Sequence, residues 1–108
     1  MTLSDAQFNQ KAATTMLRIE DAVEASGADI DFETVSDILT LEFANGSKII
    51  VNKQGATKQI WVAAKSGGFH YNYDAAADRW VNDQSGEDLF KELSRLVSQQ
   101  SGTPVVLA

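Results

Sequence analysis

Between Ile19 and Glu42 the chain reads IEDAVEASGADIDFETVSDILTLE. Eight carboxylates, Glu20, Asp21, Glu24, Asp29, Asp31, Glu33, Asp37 and Glu42, occur there without a lysine or arginine. Like charges held together in a folded chain repel one another and oppose compaction. Positive charge from outside the chain would relieve that repulsion. Carboxylate oxygens without histidine or cysteine suit hard cations such as iron(III), Mg²⁺, Ca²⁺ or Mn²⁺. The spacing matches no EF-hand loop, and an exposed set of this kind would hold an ion weakly and unselectively. The competing reading is a solvated face that serves solubility, but such faces normally intersperse both signs.

Little else in the chain is equipped for chemistry. The absence of cysteine removes disulfides, thiolate metal sites and cysteine nucleophiles together. No nucleophile stands beside a base in a known pattern, and neither a glycine-rich phosphate loop nor an HExxH pair is present. GGFHYN, around the single His70, reads as a turn and a strand rather than a phosphate cradle. His70 falls on the side of its strand away from Phe69, Tyr71 and Tyr73, so it is expected at the surface. One histidine without companions is a poor metal site. The chain is therefore expected not to be an enzyme. Trp61 is a candidate of another kind. Ile60 and Val62 claim the buried side of its strand, which turns Trp61 to the open side with Gln59. There it is either a cross-strand packing residue, beside Asn52, Lys53 or Tyr71, or an anchor for a protein partner. Trp80 reads as structural.

The elements that position these residues follow from periodicity. Ser4 or Asp5 caps a first helix whose stripe is Phe8, Ala12, Met16 or Thr15, Ile19 and Val23, ended by Ser26-Gly27. Glu20 and Glu24, four apart, share a face of it. The period then changes to two. In IDFETV, Ile30 and Phe32 are expected inward, Asp31 and Glu33 outward. Val35-Ser36-Asp37 turns the chain into ILTLEF, with Leu39, Leu41 and Phe43 inward. Asn45-Gly46 signals a hairpin to SKIIVNK. After Gly55 come KQIWVAAK, a turn at Gly67-Gly68, FHYNYD, and a short strand RWVN. Ser85, with Asp88 three residues on, is expected to open a last helix with stripe Leu89, Phe90, Leu93, Leu96 and Val97. Gly102 ends it before an apolar tail, VVLA. Five or six consecutive strands on short turns form an antiparallel meander. The predicted fold is α+β, a two-layer sandwich with both helices on one sheet face and the other face in solvent. On the carboxylates, this places one group at the end of the first helix and another on the outer side of the first strand. A tight turn joins the two elements, so the groups are expected to converge.

The totals bound the partners. The 108 residues suit a single domain, 1–108, and 44% hydrophobic content suits a folded one. A net charge of −6 repels phosphate backbones and anionic membranes, so neither nucleic acid nor membrane is expected. The N-terminal stretch MTLSDAQFNQKAAT holds no apolar run of signal-peptide length, and no segment reaches the length of a membrane span. A bacterial cytoplasm is the expected location.

Three segments, FANGSKIIVNKQ, KQIWVAAKSGGFHYNYD and RWVNDQSGEDLFKEL, together resemble the frataxin family in its bacterial branch, over about Phe8 to Gln100. The resemblance implies an iron-binding accessory protein of iron–sulfur cluster assembly, acting as a regulator and an iron donor. It implies Fe²⁺ and Fe³⁺ binding on an acidic ridge that maps here onto Glu20, Asp21, Glu24, Asp29, Asp31 and Glu33. It also implies a partner surface around Trp61, with Asn52 and Gln59, facing a cysteine desulfurase and a scaffold protein. The expected state is a monomer, with iron-dependent oligomers as the open alternative. Ala25 and Gly27 stand where relatives often continue the acidic series, which lowers the expected iron capacity. Asn9 replaces a histidine found in some bacterial relatives. Two other functions compete: an acidic interaction module with incidental metal binding, and an iron-oxidising storage protein.

Overall fold

The structure is a computed structural model that describes residues 3–108; the first two residues of the N-terminal stretch lie outside the described residues. The chain runs α1 (Asp5–Ser26), β1 (Ile30–Val35), β2 (Ile38–Phe43), β3 (Lys48–Gln54), β4 (Gln59–Ala64), β5 (Gly67–Asp74), β6 (Arg79–Asn82) and α2 (Leu89–Ser101). α1 opens on a capping box. The Ser4 hydroxyl accepts from the Gln7 amide at 3.1 Å, and the Gln7 side chain accepts from the Ser4 amide at 3.0 Å. It closes on Gly27 at φ 69°, a conformation that glycine adopts without strain.

The six strands lie in sequence order, every neighbour antiparallel. Leu39, Leu41, Phe43, Ile49, Val51, Ile60, Val62 and Tyr71 form the buried sheet face. Over it lie Phe8, Ala12, Met16, Ile19 and Val23 of α1, and Leu89, Leu93, Leu96 and Val97 of α2. Truncating one of these large side chains to alanine is expected to cost about 2–5 kcal/mol. The apolar tail alternates as a strand would. Val105 and Leu107 are buried, and their amides donate to the hydroxyls of Ser98 (2.9 Å) and Ser94 (2.8 Å) on α2.

Four local expectations are corrected. Phe32 sits on the core side by parity but is 37% exposed. β1 is an edge strand with a neighbour on one side only, so cover is incomplete there. The β4–β5 turn is Lys65-Ser66, because Ala64 pairs with Gly67 and Ala63 with Gly68. Both glycines belong to β5, and Gly67 takes φ 148°. α2 starts later than Ser85. The Asn82 carboxamide oxygen accepts from the amides of Gln84 (2.8 Å) and Ser85 (3.1 Å), holding that segment as a turn. Asp88 is the N-cap, accepting from the Lys91 amide at 3.1 Å. Finally, Lys53 and Tyr71 lie on the opposite parity from Trp61; of its three expected neighbours only Asn52 faces the same way.

Between sheet and α2, Glu92 is a buried carboxylate. It accepts from the Tyr71 hydroxyl and from the Asn82 carboxamide (2.8 Å), with Arg95 at 3.5 Å. Burial, then the bond to Glu92, pushes the Tyr71 hydroxyl well above the usual tyrosine range. Among the described residues, no helix is long and apolar enough to cross a membrane.

Candidate functional site

The acidic run resolves into paired and unpaired members. Glu42 meets Lys48 at 3.6 Å, and Asp37 meets Lys53 at 3.2 Å, so β3 neutralises two of the eight. Glu20, Asp21, Glu24, Asp29, Asp31 and Glu33 have no cationic side chain within 4.0 Å among the described residues. These are the six residues that the resemblance assigns to metal.

They do not converge as expected. Thr34, on the helix side of β1, donates its hydroxyl to the Glu20 carboxylate, which places Glu20 over the helix-facing side of the edge strand. Asp31 and Glu33 have the other parity and point through to the open face. There they line a shallow depression of about 330 Å³ with Thr40, Glu42 and Lys48. Asp21 and Glu24 are exposed on α1, and Asp29 is exposed in the α1–β1 connection. Among the described residues, no group of three or more histidine, aspartate or glutamate side chains is arranged to hold a metal ion. The tight turn brings the two elements together, but strand parity sends the two sets of carboxylates to opposite sides of β1. The result is an acidic edge rather than a cage.

On the open face the register builds a row across five strands. Val35 pairs with Ile38, Ile38 with Asn52, Asn52 with Trp61, and Trp61 with His70. Trp61 and His70 stack with ring centroids 4.5 Å apart at 24°. The indole N–H donates to the Gln59 carboxamide oxygen at 2.8 Å. The Gln59 amide in turn donates to Asn72 (3.0 Å) and Asp83 (3.3 Å). His70 Nδ1 lies 3.7 Å from the Asp83 carboxylate. Asn52, Gln59 and Trp61 are thus brought together, and Trp61 is pre-oriented from two directions. Beside it Val35 and Ile38 are 60% and 44% exposed, which makes the row apolar as well as aromatic. The sequence did not link His70 to Trp61. Counting outward from a Lys65-Ser66 turn would have paired them, whereas the Gly67-Gly68 turn shifts the register.

One six-stranded antiparallel meander roofed by an N-terminal and a C-terminal helix, with an acidic edge and an open aromatic face, defines a frataxin-like domain. The family model described as a frataxin-like domain matches residues 1–103. The chain belongs to the frataxin family, in its bacterial CyaY-type branch. It is 43% identical over 103 residues to the iron-sulfur cluster assembly protein CyaY of Pseudomonas fluorescens (strain Pf0-1), covering 95% of this chain and 94% of that one. The protein of the same name from Dechloromonas aromatica (strain RCB) is 44% identical over 106 residues, covering 97% and 99%. Among solved structures, frataxin from Psychromonas ingrahamii matches with a TM-score of 0.90 at 36% identity, over 98% of this chain and 99% of that one. Trimeric frataxin from the yeast Saccharomyces cerevisiae, complexed with ferrous iron, has the same fold at a TM-score of 0.67 and 24% identity, over 95% and 90%.

Proposed function

We propose that this chain acts in iron–sulfur cluster assembly without being an enzyme, binding iron as cargo on its acidic edge and regulating the assembly machinery. The observation that carries the reading is the segregation of charge. Among the described residues, six carboxylates at one edge have no cationic side chain within 4.0 Å, while six of the chain's nine lysines and arginines pair with other acids. Such an edge concentrates cations and steers a basic partner toward itself. Oxygen-only donors suit iron, and relatives named for iron–sulfur cluster assembly support that choice of cargo. With no cage, iron would keep much of its water and bind weakly. A loosely held ion is suited to delivery rather than storage. The test is an NMR titration with iron. Broadening should begin at Glu20, Asp21, Glu24, Asp29, Asp31 and Glu33, and fade with added salt. Broadening centred on His70 would overturn the assignment.

A second reading, an interaction module with incidental metal binding, is favoured by the division of the carboxylates across β1. The oriented Trp61 and the apolar row beside it supply the contact surface for a cysteine desulfurase and its scaffold. Pull-down of those partners in chelator separates the two readings: docking that persists without metal favours the module. Aerobic iron(II) oxidation no faster than in protein-free buffer is the expected result for a protein that is not an oxidase.

A further inference from the structure

A second charged feature opens at the other edge of the sheet from β1, although its Arg18 is only three residues from Asp21 on α1. At the β5–β6 end of the sheet, opposite β1, a cleft of about 320 Å³ opens between the middle of α1, the β5–β6 turn and the start of α2. That volume is at the lower end for small-molecule sites. Lys11, Thr14 and Arg18 line it from α1, where spacings of three and four put them on one helix face, and Arg79 lines it from β6.

The chain has three arginines. Arg95 meets Glu92 at 3.5 Å, whereas Arg18 and Arg79 have no carboxylate within 4.0 Å among the described residues. With 15 carboxylates to nine lysines and arginines, acidic partners are abundant. Two arginines left without one in contact in the same cleft depart from what this composition favours, although Arg18 is near enough to Asp78 to favour its ionised form. The carboxylates on the cleft wall are already engaged. Asp78 accepts from the Tyr73 hydroxyl and from Lys11 at 3.5 Å, and Asp88 caps α2. The Arg18 guanidinium lies 4.4 Å from the centroid of the Phe90 ring. A cation over a ring face uses no N–H hydrogen bond, which leaves the guanidinium donors for an anion.

We infer that this cleft binds a small organic anion bearing at least two carboxylate or phosphate groups, one taken by Arg18 and one by Arg79. Planar guanidinium groups bind both oxyanions in a two-pronged manner, and the exposed Thr14 hydroxyl adds a further donor. The site makes no use of the acidic edge, and its test contains no iron.

The experiment is a chemical-shift titration of the intact protein with citrate and, separately, with pyrophosphate, each against sodium chloride of equal ionic strength. Saturable shifts at Thr14, Arg18, Arg79 and Phe90 are expected with at least one of the two anions and not with chloride. A response to citrate alone assigns carboxylates, and one to pyrophosphate alone assigns phosphates. Arg79→Gln, at an exposed position, should weaken binding about tenfold or more while the melting temperature holds. Arg18→Lys keeps the charge but loses the fork, and should also weaken it. Shifts that stay linear and equal those of chloride for both anions would overturn the site, as would saturable binding that Arg79→Gln leaves unaltered.

Discussion

Trp61 and Trp80 show how strand parity assigns roles at the scale of a residue. Trp80 is buried, donates its indole N–H to the Thr15 hydroxyl at 2.8 Å and meets Phe8 and Tyr73 edge to face. Trp61 lies on the open face, held by Gln59 and His70. Alternation alone placed Trp61, since it needs only the neighbours Ile60 and Val62. The contacts of Trp61 were not legible, because they depend on where the next turn falls. Trp80→Ala is expected to cost roughly 3–5 kcal/mol, the range for a buried aromatic truncated in a core. Trp61→Ala should cost about 1 kcal/mol, the scale of a cross-strand pair, yet weaken association with the assembly scaffold or desulfurase by about 2 kcal/mol or more if it is the anchor. A denaturant melt beside a binding titration on each mutant checks this; a large stability loss for Trp61→Ala with unchanged affinity would place it in the core. The bond between Tyr71 and Glu92 escaped the sequence reading, since a glutamate on an amphipathic helix is ordinarily solvated. Tyr71→Phe removes one donor from a buried carboxylate and should cost about 1–3 kcal/mol at neutral pH. The folded state holds the Tyr71 proton more tightly than the unfolded chain does. Above about pH 10 the unfolded chain therefore loses that proton first and binds fewer protons, so stability falls as pH rises. Melts across this range should show a shallower alkaline decline for Tyr71→Phe than for the parent.

At the scale of elements, sequence and structure agree where periodicity and caps act together and part where a turn is fixed by side chains. The stripe of α1, its Ser4 cap and its Gly27 stop were all readable, because each uses residues within one turn of the helix. The start of α2 was not. Ser85 offers a hydroxyl three residues before an aspartate, yet Asn82 captures the Ser85 amide from β6 and keeps the segment out of the helix. The competition is between a local cap and a side chain anchored by the buried Glu92 network, and the anchored one wins. It follows that Asp88→Ala should destabilise by about 0.5–2 kcal/mol, as loss of an N-cap does. Ser85→Ala, whose hydroxyl accepts only the Glu87 amide in the turn, should stay within about 0.5 kcal/mol. Urea melts of the two alanine variants decide it; equal losses would mean that the helix begins earlier than Leu89.

For the whole molecule, the acidic run was the clearest signal in the chain, and its geometry was the least legible part of the candidate site. Composition gave the charge, but pairing with Lys48 and Lys53 required the β2–β3 register, and the split across β1 required knowing which side α1 covers. The remaining unpaired carboxylates still share one edge, and their repulsion acts through solvent on the folded state. Neutralising one residue from each set, Glu24→Gln on α1 and Asp31→Asn on β1, keeps shape and polarity while removing two like charges. The melting temperature should rise at low ionic strength, and the gain should shrink at high salt, where the screening length falls from about 10 Å at 0.1 M to about 3 Å at 1 M. Glu42→Gln is the control. Its carboxylate already has Lys48 at 3.6 Å, so its removal should give a smaller gain or a loss. A cation that binds the native edge should stabilise the parent by mass action, and the double variant less. Thermal melts of the three proteins at two ionic strengths, with and without iron, test the whole scheme. A double variant no more stable than the parent at low salt would show that the edge carries its charge without strain, and that relief of repulsion is not what draws a cation to it.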